Sequence, residues 1–381
     1  MDSKQLIAKV FAELADALET GRMSGPRIRV GVTTLGSEHG VKEVVRGAQL
    51  AAQADSSIDV VLVGPKVESE LAQEVCDCED EAHKRMEELL KSGELSAAVT
   101  MHYPFPVGVS TVGRVITPAT GKPLLLATTT GTSAAERVPA LLKNAVYGIA
   151  VAKSLGIKEP TVGILNIDGA RQVERQLKEL AGRGYTINFA QTVRADKGAI
   201  MRGNDLLTGS PDVMVCDTLT GNLLMKVFSA YHTGGSYEAM GYGYGPGVGP
   251  DWNHIVNIIS RASGAPVIAG AVTFAAACAA AKLPQLMAKE WKLAQRAGIE
   301  ELLVPPEREK DVTETIQPPP KKPTGAEIGG VDVLEIEDAA RELWRHGIYA
   351  ETGMGCEGPV VLVPAEDKEK AAEILKQGGF V

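Results

Sequence analysis

The sequence predicts an α/β protein: a large, mostly parallel sheet covered by helices on both faces, followed by a smaller α/β unit. Three observations carry that prediction. Short runs of Val, Ile and Leu alternate with helix-period segments across residues 26–302, the pattern of strands buried on both faces. Aromatic residues make up only 4% of the 381-residue chain, against 41 glycines, which suits close α/β layers with tight strand-to-helix turns. A proline- and charge-rich stretch, residues 303–325, precedes a last segment, 326–381, and reads as an extended linker that holds two units apart.

In chain order, residues 1–25 come first. Leu6, Ile7, Val10, Phe11, Leu14 and Leu18 recur there at helical spacing, predicting one amphipathic helix over 3–22. In the body, strands are expected at 27–34, 59–64, 97–101, 124–129, 161–166, 187–192, 212–216 and 267–271. Helices are expected at 41–54, 134–155 and 171–181, with an acidic helical run over 66–91. The longest apolar stretch, 265–281, is alanine-rich and contains Pro266 and Thr273. It falls short of the ~20 strongly apolar residues of a membrane span and reads as a buried strand running into a core helix. In the last unit the pattern gives a strand near 331–334, a helix over 337–346, strands at 348–350 and 360–363, and a helix over 365–377. About 55 residues is small for an independent fold, so docking on the body or on another subunit is expected.

The net charge of −9, with no basic stripe, disfavours nucleic acid and anionic membrane surfaces as partners. Five cysteines without framework spacing, and no basic-then-apolar leader, point to a cytoplasmic setting. No G-x-x-x-x-G-K-[ST] motif is present, so a phosphate loop of that kind is unsupported. The run Gly241-Tyr-Gly-Tyr-Gly-Pro-Gly-Val-Gly249 lacks a dinucleotide register and reads as a flexible surface loop or a lid. Gly108-Val-Ser-Thr-Val-Gly113 is one residue too long for a nucleophile elbow. Cys76 and Cys78 read as surface thiols rather than as metal ligands with His83, because no second ligand pair follows. Cys216 and Cys278 fall in apolar runs and read as inert core residues. His232 and His254 flank the glycine run, where each is either a general base or a structural hydrogen bonder.

Two segments carry the chemistry. Glu351-Thr-Gly-Met-Gly-Cys-Glu-Gly-Pro359 sets one thiol, Cys356, among Gly353, Gly355 and Gly358. Backbone N–H groups in such a loop can stabilise a thiolate or an oxyanion, although a turn with an incidental cysteine has the same sequence. The second segment runs from Arg202 to Lys226. A strand ends in Asp217, a Thr220-Gly221-Asn222 turn opens a helix, and Lys226 follows one turn later. Helix-start N–H groups, an amide and an ammonium at a strand's carboxyl end make an anion site. Capping residue and surface charge are the alternative readings of Asp217 and Lys226.

This second segment resembles the strand-and-helix signature of the phosphate acyltransferases of phospholipid synthesis. Val146 to Asp168, which contains Asn166, resembles that family's central helix and following strand. Gly249-Pro-Asp-Trp-Asn-His254 through Ser260-Arg261, with Gly264 to Gly270, is similar to the same family and to the phosphotransacetylases. The resemblance implies a three-layer α/β/α body and assigns phosphate or substrate binding to Asp217, Thr220, Gly221, Asn222, Lys226 and Asn166. The linker and the unit bearing Cys356 have no counterpart there. The whole chain resembles the alpha subunits of component C of glycine/sarcosine/betaine reductase complexes. Their Gly-Met-Gly-Cys loop matches 353–356 and implies an acetyl thioester on Cys356, released by phosphate as acetyl phosphate. The implied partners are a ketosynthase-like beta subunit and a carboxymethyl-selenoprotein A, within a hetero-oligomer. No metal or bound cofactor is implied, and inorganic phosphate is the co-substrate. A stand-alone acyltransferase using acyl carrier protein or CoA thioesters, and a non-catalytic scaffold, are the competing readings.

Overall fold

The computed structural model describes residues 11, 15, 27–195, 197–304, 316–355 and 358–381. The helix expected over 3–22 lies almost wholly outside the described residues, as do Cys356 and the middle of the expected linker. The body opens with β1 (Ile28–Thr33), α1 (Val41–Ala54), β2 (Ile58–Gly64), β3 (Ala72–Val75), α2 (Glu79–Ser92) and β4 (Ala97–Thr100). It continues through β5 (Val109–Ile116), β6 (Pro123–Thr132), α3 (Arg137–Ser154), β7 (Thr161–Leu165) and α4 (Ala170–Gly182). Then come β8 (Asn188–Phe189), β9 (Ile200–Met201), α5 (Gly203–Thr208), β10 (Val213–Val215) and α6 (Thr218–Ala230). It closes with β11 (Gly245–Val248), β12 (Val256–Ile258), α7 (Ala265–Ala280), α8 (Leu283–Arg296) and α9 (Ile299–Leu303).

These strands make one twelve-stranded sheet in the order β3-β2-β1-β4-β12-β11-β5-β6-β10-β7-β8, with β9 also on β7. Pairing is parallel from β3 to β12 and again from β6 to β8. Between the blocks β11 runs antiparallel to both β12 and β5, and β5 antiparallel to β6. Three reversals make the two parallel blocks run in opposite directions. One face buries Val44, Leu141, Tyr147, Leu177, Ile268 and Met287 from α1, α3, α4, α7 and α8. The other buries Met86, Leu89, Leu206, Met225 and Phe228 from α2, α5 and α6. The body is thus three layers, α/β/α.

Several expectations are corrected. The run expected to be helical over 66–91 forms β3 first, because its 72–75 segment finds the free edge of β2, and the helix begins only at Glu79. The strand expected at 187–192 keeps only Asn188–Phe189. Residues 267–271 are helical from Ala265 onward, with Pro266 in the first turn. A helix buried almost all round shows the same unbroken apolar run as a buried strand, and Pro at a helix start is favoured. The glycine run 241–249 is neither a surface loop nor a lid: it contains β11, fully buried between β5 and β12. Glycine is demanded there, since a Cβ on Gly245 would stand 1.8 Å from the Val112 carbonyl oxygen. No single described helix is long and apolar enough to cross a membrane.

The last unit contains β13 (Ala326–Gly329), α10 (Ile336–Arg345), β14 (Glu351–Gly355), β15 (Gly358–Val363) and α11 (Lys368–Gln377). Its strands form an antiparallel sheet, β13-β15-β14, over a core of Leu343, Val361, Leu375 and neighbours. The strands expected at 331–334 and 348–350 form instead at 326–329 and 351–355, because pairing to β15 selects the register. The unit is not held apart from the body but packs on it.

Candidate functional site

Asp217 follows β10 and caps α6. Its carboxylate accepts the Thr220 N–H at 3.0 Å and the Thr220 hydroxyl at 2.7 Å, satisfying donors that a helix start leaves open. The Arg137 guanidinium stands 3.9 Å away. Gly221 lets α6 lie against the sheet, since a Cβ there would be 1.8 Å from the Thr128 carbonyl oxygen. The Asn222 amide donates to the Thr129 carbonyl at 3.2 Å.

Lys226 sits one turn beyond Asn222 on the same helix face, but the expected convergence on a single point does not form. Its ammonium turns to the Glu238 carboxylate at 3.2 Å and the Ser260 hydroxyl at 2.8 Å. Glu238 is buried and also accepts from Ser263 at 2.9 Å. Burial, then the Glu238 charge, push the neighbouring Tyr244 phenol well up. Lys226 thus belongs to a polar cluster roughly 12 Å along α6 from its start, at about 1.5 Å per residue.

Asn166 directly follows β7 and is exposed. Ile164 of β7 pairs with Val215 of β10, so Asn166 and Asp217 leave neighbouring strands at the same sheet edge. The last unit docks at this edge. Gly169, at positive φ before α4, donates its N–H to Asp332 at 3.3 Å, and Arg175 of α4 pairs with Glu335 at 2.6 Å. Two cavities flank these bonds. One, about 220 Å³, is lined by Asn166, Asp168 and Arg171 of the body and by Asp332 and Pro359 of the last unit. The other, about 660 Å³, lies between Arg137, Val138 and Gln172 on one side and Leu334 and Asp338 on the other. Gly353 and Gly355 are residues of β14, and Gly358 opens β15, opposite Gly355. The glycines are therefore strand residues rather than members of a wide loop, and only positions 356 and 357 lie between the strands.

The other candidates stay apart. His232 is exposed and stacked on Tyr231, and His254 meets Trp252 edge-on. Cys76 is buried, correcting its reading as a surface thiol, while Cys78 is exposed. The His83 ring bonds the Thr100 hydroxyl at 3.0 Å, and no metal-binding cluster exists among the described residues. Cys216 and Cys278 are fully buried, and burial pushes the Cys278 thiol up to about 12.

The family model described as "Fatty acid synthesis protein" matches residues 28–362. The chain belongs to that family. This fatty acid synthesis family member is 56% identical over 383 residues to the "Glycine/sarcosine/betaine reductase complex component C subunit alpha" of Peptoclostridium acidaminophilum, covering 100% of this chain and 99% of the relative. It is 29% identical over 252 residues to a phosphate acyltransferase of Crocosphaera subtropica, covering 55% of this chain and 70% of that relative. Among solved structures, a branched-chain phosphotransacylase from Enterococcus faecalis V583 aligns at 18% identity and a TM-score of 0.48, covering 66% of this chain and 99% of that one.

In this family member the site has residues that sequence reasoning passed over. Ser260 lies just past the stretch 255–259, apolar except for Asn257, and that position was the available signal. Glu238, Arg137, Arg175 and Asp332 carried none, because each matters through a partner distant in sequence.

Proposed function

We propose that the chain transfers an acyl group to inorganic phosphate, using an acetyl thioester on Cys356, as part of a glycine/sarcosine/betaine reductase complex. The observation that carries the reading is the inter-unit cavity in which Pro359, next to the hairpin tip, faces Asn166 at the carboxyl end of β7. Carboxyl ends of parallel strands are where α/β sheets bind ligands. The full-length similarity to a component C alpha subunit supports membership of such a complex, and the partial similarity to a phosphate acyltransferase supports acyl transfer to phosphate.

In the proposed step a phosphate oxygen attacks the thioester carbonyl carbon, the C–S bond breaks, and the Cys356 thiolate leaves with the bonding pair. Acetyl phosphate departs. Backbone N–H groups at Gly355 or Gly358 stabilise the tetrahedral oxyanion, a contribution of about 3 kcal/mol per donor. Gly353 supports the strand that carries them. Phosphate is held beside the first turn of α6, Thr220 to Asn222, where the Arg137 guanidinium stands 3.9 Å from the capping Asp217, while Lys226 and Ser260 belong to the separate cluster further along the helix. No metal or bound cofactor enters the step. The acyl group is supplied within the complex, where a ketosynthase-like beta subunit and a carboxymethyl-selenoprotein are the partners the resemblance implies.

Cys356→Ala and Cys356→Ser in the purified complex are expected to lower acetyl phosphate formation, and its arsenate-driven breakdown, at least a thousandfold. Full activity in either variant, with CoA or acyl carrier thioesters as donors, would establish the competing reading of an acyltransferase that uses no protein thiol.

A further inference from the structure

We infer that Asp332 and Glu335 are positioning residues, which pin the small unit to the body so that the β14–β15 hairpin stands beside Asn166. The inference rests on the thioester reading for its purpose but not for its geometry. The small unit has its own hydrophobic core, and none of its described residues joins either core of the body. Lys321 and Lys322, just before β13, pair with Glu351 and Glu366 of the same unit, so this approach to β13 is tied to the unit as well.

What joins unit to body is polar and narrow. The buried Asp332 carboxylate accepts the Gly169 N–H at the start of α4 and, at 2.9 Å, the Leu334 N–H of its own unit. Arg175, a turn into the same helix, reaches Glu335. The two cavities lie either side of this pin. Val333 and Leu334, the apolar residues beside it, remain 42% and 51% exposed. A seam closed by apolar packing would bury them. This one is closed by two carboxylates of one short segment on one helix start, an arrangement that fixes orientation while leaving little area to separate.

The test uses the full-length chain within its complex, with Arg175→Glu, Glu335→Arg, the double charge swap, and the conservative Asp332→Asn. Amide hydrogen exchange is read over residues 166–175 and 330–336, and acetyl phosphate formation is followed in parallel. Each single reversal is expected to raise exchange in both segments about tenfold, leave β6 and β10 protected, and slow acetyl phosphate formation at least tenfold at unchanged phosphate KM. The double swap should restore both. Asp332→Asn, which keeps the acceptor oxygen and the fold, should raise exchange in the same two segments by a smaller factor. Unchanged exchange in the single variants, or no rescue by the swap, would overturn the pin. Raised exchange with undiminished turnover would overturn its positioning role. Failure of the thioester reading would show separately, as activity surviving Cys356→Ala while the exchange pattern stood.

Discussion

At Gly221 one absent methyl sets how closely α6 approaches the sheet. A Cβ there would meet the Thr128 carbonyl oxygen at 1.8 Å and the Cys216 sulfur at 3.1 Å, and neither atom can give way, since Cys216 is fully buried. Gly221→Ala is expected to destabilise the fold by about 1–3 kcal/mol through overpacking, read as a lower midpoint in urea unfolding. An unchanged midpoint would mean that α6 can slide outward. The sequence offered Gly221 as part of an anion-binding turn, and the spacing that suggested it was real. The packing reason for the glycine was invisible, because Thr128 lies 93 residues from it in sequence.

Among elements, α6 is the clearest case of a locally encoded start. Asp217 precedes an apolar helix by one residue and its carboxylate takes the Thr220 N–H, so the cap was legible in the sequence. Asp217→Ala is expected to cost about 1 kcal/mol, and Asp217→Asn much less, with thermal melts to separate the two. The distance between the first turn of α6 and Lys226 was not legible as a functional fact. Helical spacing put Asn222 and Lys226 on one face, but Glu238 and Ser260, brought in by other elements, decide where the ammonium points. In the same way β11 escaped detection because its glycines, selected for close backbone approach, imitate a loop composition.

On the scale of the whole molecule, the two blocks of the body are stitched at Glu43. The Tyr237 phenol donates to it at 2.5 Å and the Ala265 N–H at 2.8 Å, joining the segment after α6 to α1 and α7. Chiefly the Tyr237 bond, then the Ala265 N–H, hold this carboxyl below its ordinary value of 4.5. A depressed carboxyl contributes stability that is fully present above its unfolded pKa and is lost as pH falls through the folded value. Glu43→Gln is therefore expected to lower the urea midpoint at neutral pH and to flatten its fall below about pH 4.5. Parallel curves for variant and parent across pH 3–7 would contradict this.

The alternation of apolar runs with helices determined, from sequence alone, the three-layer body and most of its parallel strands. Those features follow from local propensity and from burial on two faces, which neighbouring residues encode together. Only the tertiary structure decided the order of the strands, the two opposed parallel blocks, and the seam beside Asn166 where Asp332 and Arg175 hold the small unit. These depend on backbone pairing and single polar contacts between residues tens to hundreds of positions apart, and such contacts leave no periodic trace in the chain.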